Sequence, residues 1–430
     1  MSLKLIRIRP SLARFVWVAV AVICLGAAWL SVRRYFANTI ATHLDIKQPG
    51  AGMVLDAMIE MAPSDPETHY LAAIYYDRTF EAADLTRSVA EFEIAATLSP
   101  NTYGKWLDLG RARSRIGDSE GADTAFKRAS ALAPHYSDVQ WTYGNFLVRE
   151  GRAKEGFPLI TQAAAEDPRL AGPAVVLALQ LSDGDADRVT DIMGDAPIVT
   201  ATLVGILTAK KRYQEAYSAW GRLPSEAKRD SKFVDVGTTL MRNLIEVKRF
   251  RLAASIAADF VQTESERPVI GQLNNGGFES GVKSHSAGPF EWQIADGVQP
   301  QIGLSESQKH SGRYSLWLTF NTFESASFRP VSQTIPVEPG GQYQLEVWYR
   351  SALKTPAKLK WEVDNATTLQ PLGATAEMVP VADWTRLTVQ FTVPLETDGV
   401  ILRLSRERCI GLSCPMNGTM GLDDFILTRQ

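Results

Sequence analysis

Four prolines lie at equal intervals in the first half of this 430-residue chain: Pro66, Pro100, Pro134 and Pro168 are each 34 residues apart. A fixed period of about 20–50 residues is typical of short supersecondary units that stack on one another. Because proline just after a helix stops it, each interval predicts one complete helical unit. This repeat is the strongest constraint on the fold.

The segment Tyr103–Pro134, YGKWLDLGRARSRIGDSEGADTAFKRASALAP, contains two apolar helical faces separated by a turn. Gly117-Asp118 supplies the turn, and Gly110 on the first face lets the second helix approach closely. The positions that define the two faces are Trp106, Leu109, Gly110, Ala122, Phe126 and Ala129. Their spacing resembles the tetratricopeptide repeat family, although Arg113 stands where that family usually has tyrosine.

The tetratricopeptide resemblance predicts an α-solenoid of stacked helical pairs over residues 38–265. Repeats in register cover Tyr70–Pro100, Tyr103–Pro134 and Ser137–Pro168. Gly156 and Pro158 are expected to weaken the second helix of the last of these repeats. Degenerate helical pairs follow as far as a polar linker before Pro268.

The concave face of such an array normally binds a peptide or a partner helix, so the resemblance implies protein partners. Polar and aromatic residues on the first helices are the candidates for these contacts. They are Tyr76, Lys105, Asp108, Arg111 and Asn145. For each residue taken singly, the alternative is an ordinary solvated surface position.

An uncharged run of 18 residues, FVWVAVAVICLGAAWLSV at 15–32, follows a basic N-terminus at 1–14. A helix rising about 1.5 Å per residue can just cross a hydrocarbon core of about 30 Å at this length. More Lys and Arg residues precede the run than follow it directly, which places the N-terminus in the cytoplasm. We therefore predict a single-pass bacterial inner-membrane anchor with the bulk of the chain in the periplasm. The alternative is a cleaved signal peptide, which the length of the run and the following RRYF disfavour.

Net charge and cysteine placement exclude some classes of function. The formal net charge of −3 gives no broad attraction to nucleic acid. Cys409 and Cys414 form a C-x4-C pair with no further Cys or His nearby, so zinc is disfavoured. We expect a local disulfide between them if the domain is exported.

The periodicity changes near Pro268, and residues 268–430 contain short alternating runs such as YQLEVWYR and WTRLTVQFTV. Period-2 runs about ten residues apart predict an antiparallel β-sandwich. This part resembles carbohydrate-binding jelly-roll modules of the family 4/9 type, within the galactose-binding-like group. The matching motifs are NGGFES at Asn275–Ser280, HSGRYSLWL at His310–Leu318, VSQTIPVEPGGQYQLEVWYRS at Val331–Ser351 and GLDDFIL at Gly421–Leu427.

The jelly-roll resemblance implies a structural calcium ion beside the first and last strands. Hard oxygen ligands suit this ion. Glu279, Asp423 and Asp424 are the candidate side chains, with carbonyls of the 309–312 loop assisting. The alternative is that these carboxylates bind only the amides of neighbouring turns.

The same resemblance implies sugar binding by aromatic faces. The candidates are Trp292, Trp317, Trp348 and Trp361. Neighbouring strand residues face opposite sides, so Trp348 and Tyr349 cannot line the same groove, and Trp317 is expected to face away from its leucine neighbours. For each aromatic residue, core packing is the alternative.

The sequence therefore predicts a multidomain α plus all-β protein: a transmembrane helix, a tetratricopeptide solenoid and a C-terminal antiparallel jelly roll. No nucleotide-binding loop, HExxH or GxSxG motif is present, and we expect a non-enzymatic adaptor. It would bind protein partners and, through the jelly roll, glycan in exopolysaccharide or O-antigen assembly. The alternatives are a polysaccharide-acting enzyme and an assembly subunit whose jelly roll binds no sugar.

Overall fold

The computed structural model describes residues 10–48, 50–261, 263, 266–283, 285–324, 328–355, 358–407 and 413–430. The chain divides into two compact units, the first ending at Val199 and the second running from Thr200 to Gln430. Helices form the first unit, and the second unit contains further helices and all the described strands. The predicted fold class, helical solenoid followed by antiparallel sandwich, is confirmed.

The first helix, α1 (Pro10–His43), carries the long apolar run. Its segment Arg14–His43 is, among the described residues, the one helix long and apolar enough to cross a membrane. The side chains from Phe15 to Leu30 that the structure describes are exposed along this segment. Length and composition alone support a membrane-spanning role, and an N-terminal signal sequence has the same properties.

The end of α1 serves as the first helix of the solenoid. Ala37 and Ala41 are fully buried against the next two helices, α2 (Ala51–Met61) and α3 (Pro66–Asp77). A helical pair therefore precedes the repeat that begins at Tyr70, and α1 provides its first helix. The helix that carries the apolar run therefore continues unbroken, past Arg33 and Arg34, into the packed core of the repeats.

Asp65 links α1 to the start of α3 by hydrogen bonds. Its carboxylate accepts hydrogen bonds from Arg34 Nε and Asn38 Nδ2, each at 3.3 Å, and from the Thr68 amide at 3.0 Å at the start of α3. Burial alone would raise the pKa of Asp65, but the hydrogen bonds from Thr68, Asn38 and Arg34 outweigh it and hold this pKa below its ordinary value. One buried carboxylate thus caps α3 and holds α1.

The predicted repeats form helical pairs in register. The pairs are α3 with α4 (Ala82–Leu98), α5 (Tyr103–Arg115) with α6 (Ser119–Leu132), and α7 (Ser137–Arg149) with α8 (Ala153–Glu166). Gly110 of α5 faces the ring of Phe126, and an added Cβ there would lie 2.6 Å from that ring. The missing side chain therefore sets how closely the two helices approach.

The last full repeat differs from expectation at its two helix-weakening residues. Helix α8 runs unbroken through Pro158, which lies in its second turn. A Cβ on Gly156 would lie 2.6 Å from the carbonyl oxygen of Gly144 on α7. Gly156 therefore permits close packing of α7 on α8, and this contact compensates for its low helix propensity.

The remaining helices complete the helical region. They are α9 (Ala171–Leu181), α10 (Ala186–Met193), α11 (Pro197–Ala209), α12 (Tyr213–Arg222), α13 (Ser225–Arg229), α14 (Ser231–Glu246) and α15 (Phe250–Phe260), with a short 3-10 turn at Pro168–Leu170. In the second unit, Trp220 is buried over Gly237 and its indole N–H donates to Asp259 at 2.8 Å. The domain boundary expected at 265–268 remains a prediction, since compactness divides the chain at Val199.

The sandwich consists of two antiparallel five-stranded sheets, ordered β1-β4-β9-β6-β7 and β2-β3-β10-β5-β8. The strands are β1 (Gln293–Ile294), β2 (Gln301–Ser305), β3 (Ser315–Glu324), β4 (Val331–Pro336), β5 (Gln342–Ser351), β6 (Leu359–Asn365), β7 (Pro371–Ala374), β8 (Val381–Thr392), β9 (Gly399–Arg406) and β10 (Ser413–Arg429). One continuous apolar core lies between them.

Helix α15 is attached to the sandwich by a carboxylate from the loop between β8 and β9. Asp398 accepts the backbone N–H of Phe250 at 2.8 Å and that of Arg251 at 3.3 Å. Arg251 in turn forms an ion pair with Glu338 at 2.8 Å. The helix N-terminus is therefore capped by a residue almost 150 positions away.

Candidate functional site

Two of the four predicted sugar-binding tryptophans lie in the sandwich core. Trp292 is 2% exposed and Trp361 is fully buried. Their rings pack around Phe425, with centroids 5.0 and 4.8 Å from its ring, and the Trp292 indole donates to the Asn275 carbonyl at 3.0 Å. These two predictions need correction: both side chains fill the space between the sheets, where a sugar cannot stack.

The other two predicted tryptophans lie on the outer face of the β2-β3-β10-β5-β8 sheet, which we call the binding-side sheet. Trp317 of β3 is partly exposed between the fully buried Leu316 and Leu318. Trp348 of β5 is partly exposed between the buried Val347 and Tyr349. The alternation expected from the sequence is therefore confirmed at both strands.

A third tryptophan, Trp384 of β8, belongs to the same face and was not among the sequence candidates. Gly421 of β10 lies beneath it: a Cβ there would overlap the Trp317 ring and lie 3.1 Å from the Trp384 ring. Gly421 is also the direct strand partner of Trp317. The glycine thus forms the floor over which two indoles from separate strands converge.

His310 extends this aromatic group from a neighbouring loop. Its ring stacks on Trp348 with centroids 4.0 Å apart and planes 16° apart, and it lies 5.8 Å from the Trp384 ring. His310 Nδ1 is 2.6 Å from Asp424 Oδ2, which fixes the plane of the imidazole. We call Trp317, Trp348, Trp384 and His310 the aromatic platform.

Polar side chains continue the same face along the strands. Thr319 pairs with Thr419, Asn321 pairs with Asn417, and Lys354 forms an isolated bridge with Asn417. Thr319, Asn321 and Lys354 are exposed. Asn321 is four positions after Trp317 on the same strand. At a rise of about 3.3 Å per residue, these polar groups therefore begin within about 13 Å of the platform.

Two arginines flank the aromatic platform. Arg350 is the β5 partner of Gly421, and Arg386 is the β8 partner of Trp348. Arg350 Nη1 donates to Gln308 Oε1 at 2.6 Å, and Arg386 Nη1 lies 3.6 Å from Glu346 Oε2. The face therefore combines apolar rings, hydroxyl and amide groups, and positive charge.

The predicted calcium ligands accept hydrogen bonds from groups of the protein itself. Asp423 Oδ2 accepts the amides of His310 and Ser311 at 2.8 and 3.2 Å, and Asp424 Oδ1 accepts the Ser311 hydroxyl at 2.8 Å. Burial raises the pKa of Asp423, and so does the charge of Asp424, while the hydrogen bonds from the His310 and Ser311 amides act in the opposite direction.

Glu279 binds the same loop from the other side. Its carboxylate accepts the Arg313 amide at 2.9 and 3.0 Å and the Tyr314 amide at 3.2 Å. Within the described ranges, no group of three or more His, Cys, Asp and Glu side chains is arranged to hold a metal ion. This geometry fits the alternative of turn-amide binding better than it fits a cation, and calcium binding remains a prediction for a chelation experiment.

Three of the predicted protein-contact residues are engaged within the solenoid. Tyr76 is 6% exposed and donates to Asp56 at 2.8 Å, and its burial and this hydrogen bond raise its pKa to about 12. The Lys105 ammonium is buried and pairs with Glu67 at 2.6 Å. Asp108 accepts the Tyr70 hydroxyl at 2.6 Å. Each of these side chains joins neighbouring helices, which is a structural role.

Arg111 and Asn145 line an open groove of ≈ 470 Å³ along the first helices α5 and α7. Arg111 binds Asp108 and Asp138, each at 2.9 Å, and the Thr142 hydroxyl at 2.7 Å. The groove is also lined by Ser114, Arg115, Trp141 and Arg149. The predicted contact set therefore divides into a buried part that builds the array and an accessible part that lines this groove.

The predicted disulfide between Cys409 and Cys414 lies outside the described residues, which include neither Cys409 nor the side chain of Cys414. Cys24 of α1 is a free, exposed cysteine.

A helical-repeat array and an antiparallel jelly-roll sandwich define the class of this fold. No protein-family model matches the chain, and no curated protein matches it. Three of its structural neighbours each cover about two fifths of it or less.

One neighbour is TmCBM61 in complex with beta-1,4-galactotriose, at 22% identity, covering 37% of this chain and 97% of the other, with a TM-score of 0.27. Another is the CBM22-1 xylan-binding domain of Paenibacillus barcinonensis Xyn10C, at 19% identity, covering 36% and 91%, with a TM-score of 0.26. A third is MamA from Desulfovibrio magneticus RS-1, at 18% identity, covering 38% and 93%, with a TM-score of 0.31. Likenesses of this size describe the fold alone.

Proposed function

We propose that this chain is a non-enzymatic binding protein that recognises glycan through the outer face of the binding-side sheet. The observation that carries the proposal is the convergence of Trp317 and Trp384 over Gly421, beside the stacked pair of Trp348 and His310. Indole faces pack on the apolar faces of sugar rings, and hydroxyl and amide groups nearby bind the sugar hydroxyls. This sheet face presents both kinds of group.

The proposal does not require catalysis by the carboxylates near the platform. Asp423 is fully buried and bound to loop amides, Asp424 is held by His310, and Glu346 accepts a hydrogen bond from Gln344 at 2.9 Å. A glycosidase needs two carboxyl groups on either side of one bond. Release of new reducing ends from any polysaccharide by the purified protein would overturn this part of the proposal.

The helical repeats supply the second half of the proposed role, which is to hold a protein partner. The groove lined by Arg111, Trp141 and Asn145 is the accessible candidate surface for that partner. With α1 as an inner-membrane anchor and the remainder in the periplasm, the chain would bring partner and glycan together in the cell envelope. Assembly of exopolysaccharide or O-antigen is the process that such an adaptor would serve.

A glycan array tests the sugar-binding half of the proposal. The detergent-solubilised full chain should bind a defined glycan, and Trp317→Ala, Trp348→Ala and Trp384→Ala should each weaken that binding at least about fivefold, since stacked aromatic contacts are worth about 1 kcal/mol or more. Trp141→Ala, a partly exposed tryptophan of α7, is the matched control and should bind normally. If the folded protein binds no glycan on the array, the sandwich is an assembly domain.

A further inference from the structure

The cations beside the aromatic platform indicate the chemistry of its ligand. Arg350 and Trp317 are both direct strand partners of Gly421, so the two side chains flank this glycine on the same face. A sugar ring stacked on Trp317 would therefore lie next to the guanidinium group. An arginine in that position would donate hydrogen bonds to a substituent of the sugar ring.

The charge of Arg350 faces a neutral partner in this structure. Its Nη1 donates to the side-chain amide of Gln308, which carries no compensating charge. A guanidinium group has five N–H donors in a planar fork, so other donors remain for a ligand. This fork matches the two oxygens of a carboxylate.

The neighbouring cations add to this field. Arg386 stands beside Trp348, half exposed, with a long 3.6 Å contact to Glu346. Lys354 is exposed at the polar end of the same face. The nearby acids are already engaged: Asp423 and Asp424 by amides, a hydroxyl group and His310, and Glu346 by Gln344 and Arg386. Arg350, which donates to a neutral amide, therefore offers a guanidinium group for an ion pair where a ligand would bind.

We propose that the sandwich binds an acidic glycan whose sugar rings carry carboxylates, with Arg350 as the residue that reads the carboxylate. This inference rests on the proposed function of the same face. The sugar ring stacks on Trp317 and Trp384, its carboxylate accepts two hydrogen bonds from Arg350, and Arg386 and Lys354 attract the neighbouring acidic units. The hydroxyl group of Thr319 and the amide group of Asn321 bind the uncharged part of the glycan.

The test uses oligo-uronides prepared from polygalacturonate, alginate and glucuronoxylan, each paired with its carboxyl-reduced neutral counterpart. Isothermal titration of the full chain in detergent should give binding to an acidic oligosaccharide that falls at least about tenfold on carboxyl reduction, as expected for a lost charge-assisted contact. Affinity should also fall between 0.05 and 0.5 M NaCl, whereas affinity for the reduced glycan should not.

Variants separate the role of Arg350 from general charge. Arg350→Gln should lose about tenfold for the acidic glycan and nothing for the reduced one, and Arg350→Lys should recover part of the loss, since it keeps charge without the fork. Arg429→Gln, at the far end of β10, is the control and should change neither. Melting curves identify any variant that fails to fold, in which case Arg350→Lys carries the test.

Two outcomes overturn the inference and remain distinguishable from each other. Equal binding of the acidic and the reduced glycan would refute the carboxylate assignment and leave the glycan-binding face intact. Absence of binding to every glycan by the folded protein would refute the glycan-binding face itself.

Discussion

The imidazole of His310 lies face to face with the indole of Trp348, at 4.0 Å between ring centroids and 16° between planes. His310 comes from the loop before β3, and Trp348 comes from the middle of β5. The contact to Asp424 holds the imidazole in this position, so three separate segments determine where the Trp348 ring lies. This part of the platform is thereby held in place before any ligand arrives.

His310→Ala should loosen Trp348 and lower glycan affinity by roughly two- to tenfold, the loss expected for one aromatic pair of about 0.5–1.5 kcal/mol. His310→Phe keeps a flat ring and should recover most of the affinity. Acrylamide quenching of tryptophan fluorescence provides an independent reading, because quenching should increase in the Ala variant. Unchanged affinity in His310→Ala would show that Trp348 does not depend on this contact.

Gly421→Ala should reduce glycan affinity at least about tenfold with the fold retained, because a Cβ there overlaps the Trp317 ring and crowds Trp384. Gly303→Ala is a matched control: this glycine is the β2 partner of Trp317, and no heavy atom lies within 4 Å of an added Cβ. Equal affinities for the two variants, measured by titration, would contradict the convergence of the rings as the binding feature.

Asp398→Ala should lower the free energy of unfolding by about 1 kcal/mol, since it removes the cap of α15 at the Phe250 and Arg251 amides. Glu338→Gln, which removes only the partly exposed ion pair to Arg251, should cost less. Urea unfolding of the detergent-solubilised chain measures both. A larger loss for Glu338→Gln would show that the cap contributes little.

Asp65 makes the stability of the first repeat depend on pH. The pKa of this carboxyl is lowered in the fold, so its stabilising contribution is complete above its ordinary value of 3.8 and is lost as the pH falls through the lowered value. Asp65→Asn should expose the α1–α3 junction to faster amide exchange at pH 7 and should abolish the acid-dependent part of the loss. An unchanged exchange pattern at Ala37 and Ala41 would contradict the role of Asp65.

The calcium prediction has a direct readout in the melting temperature. If a calcium ion binds beside Asp423 and Glu279, excess EDTA should lower the melting temperature, millimolar calcium should restore it, and Glu279→Gln should abolish that response. A melting temperature that neither EDTA nor calcium changes would leave the binding of loop amides as the role of these carboxylates.

The architecture could be predicted because it depends on periodicities that are visible in the sequence. The 34-residue proline spacing defined the helical pairs, and strand alternation predicted that Trp317 faces away from its leucine neighbours and that Trp348 and Tyr349 face opposite sides. The same rule could have found Trp384, since Leu387, Val389 and Phe391 point inward from β8 and leave Trp384 on the opposite face.

The rest of the site depends on which strands become neighbours, and a single sequence does not state this. Trp292 and Trp361 are the same residue type as their partly exposed counterparts, but Trp292, just before β1, and Trp361 of β6 lie between the sheets. In the sequence, His310 is only the first residue of the HSGRYSLWL motif, because its partners Trp348 and Asp424 are far away along the chain. The role of Gly421 beneath the Trp317 ring is visible only in the structure, where β3 pairs with β10.

The most direct test of the glycan-binding face is a tryptophan oxidation footprint of the full chain, read by mass spectrometry with and without saturating glycan. The account predicts that Trp317, Trp348 and Trp384 react with N-bromosuccinimide in the free protein and are protected by the glycan, while buried Trp292 and Trp361 stay unreactive in both states. A glycan that binds and leaves the three platform tryptophans unprotected would contradict it.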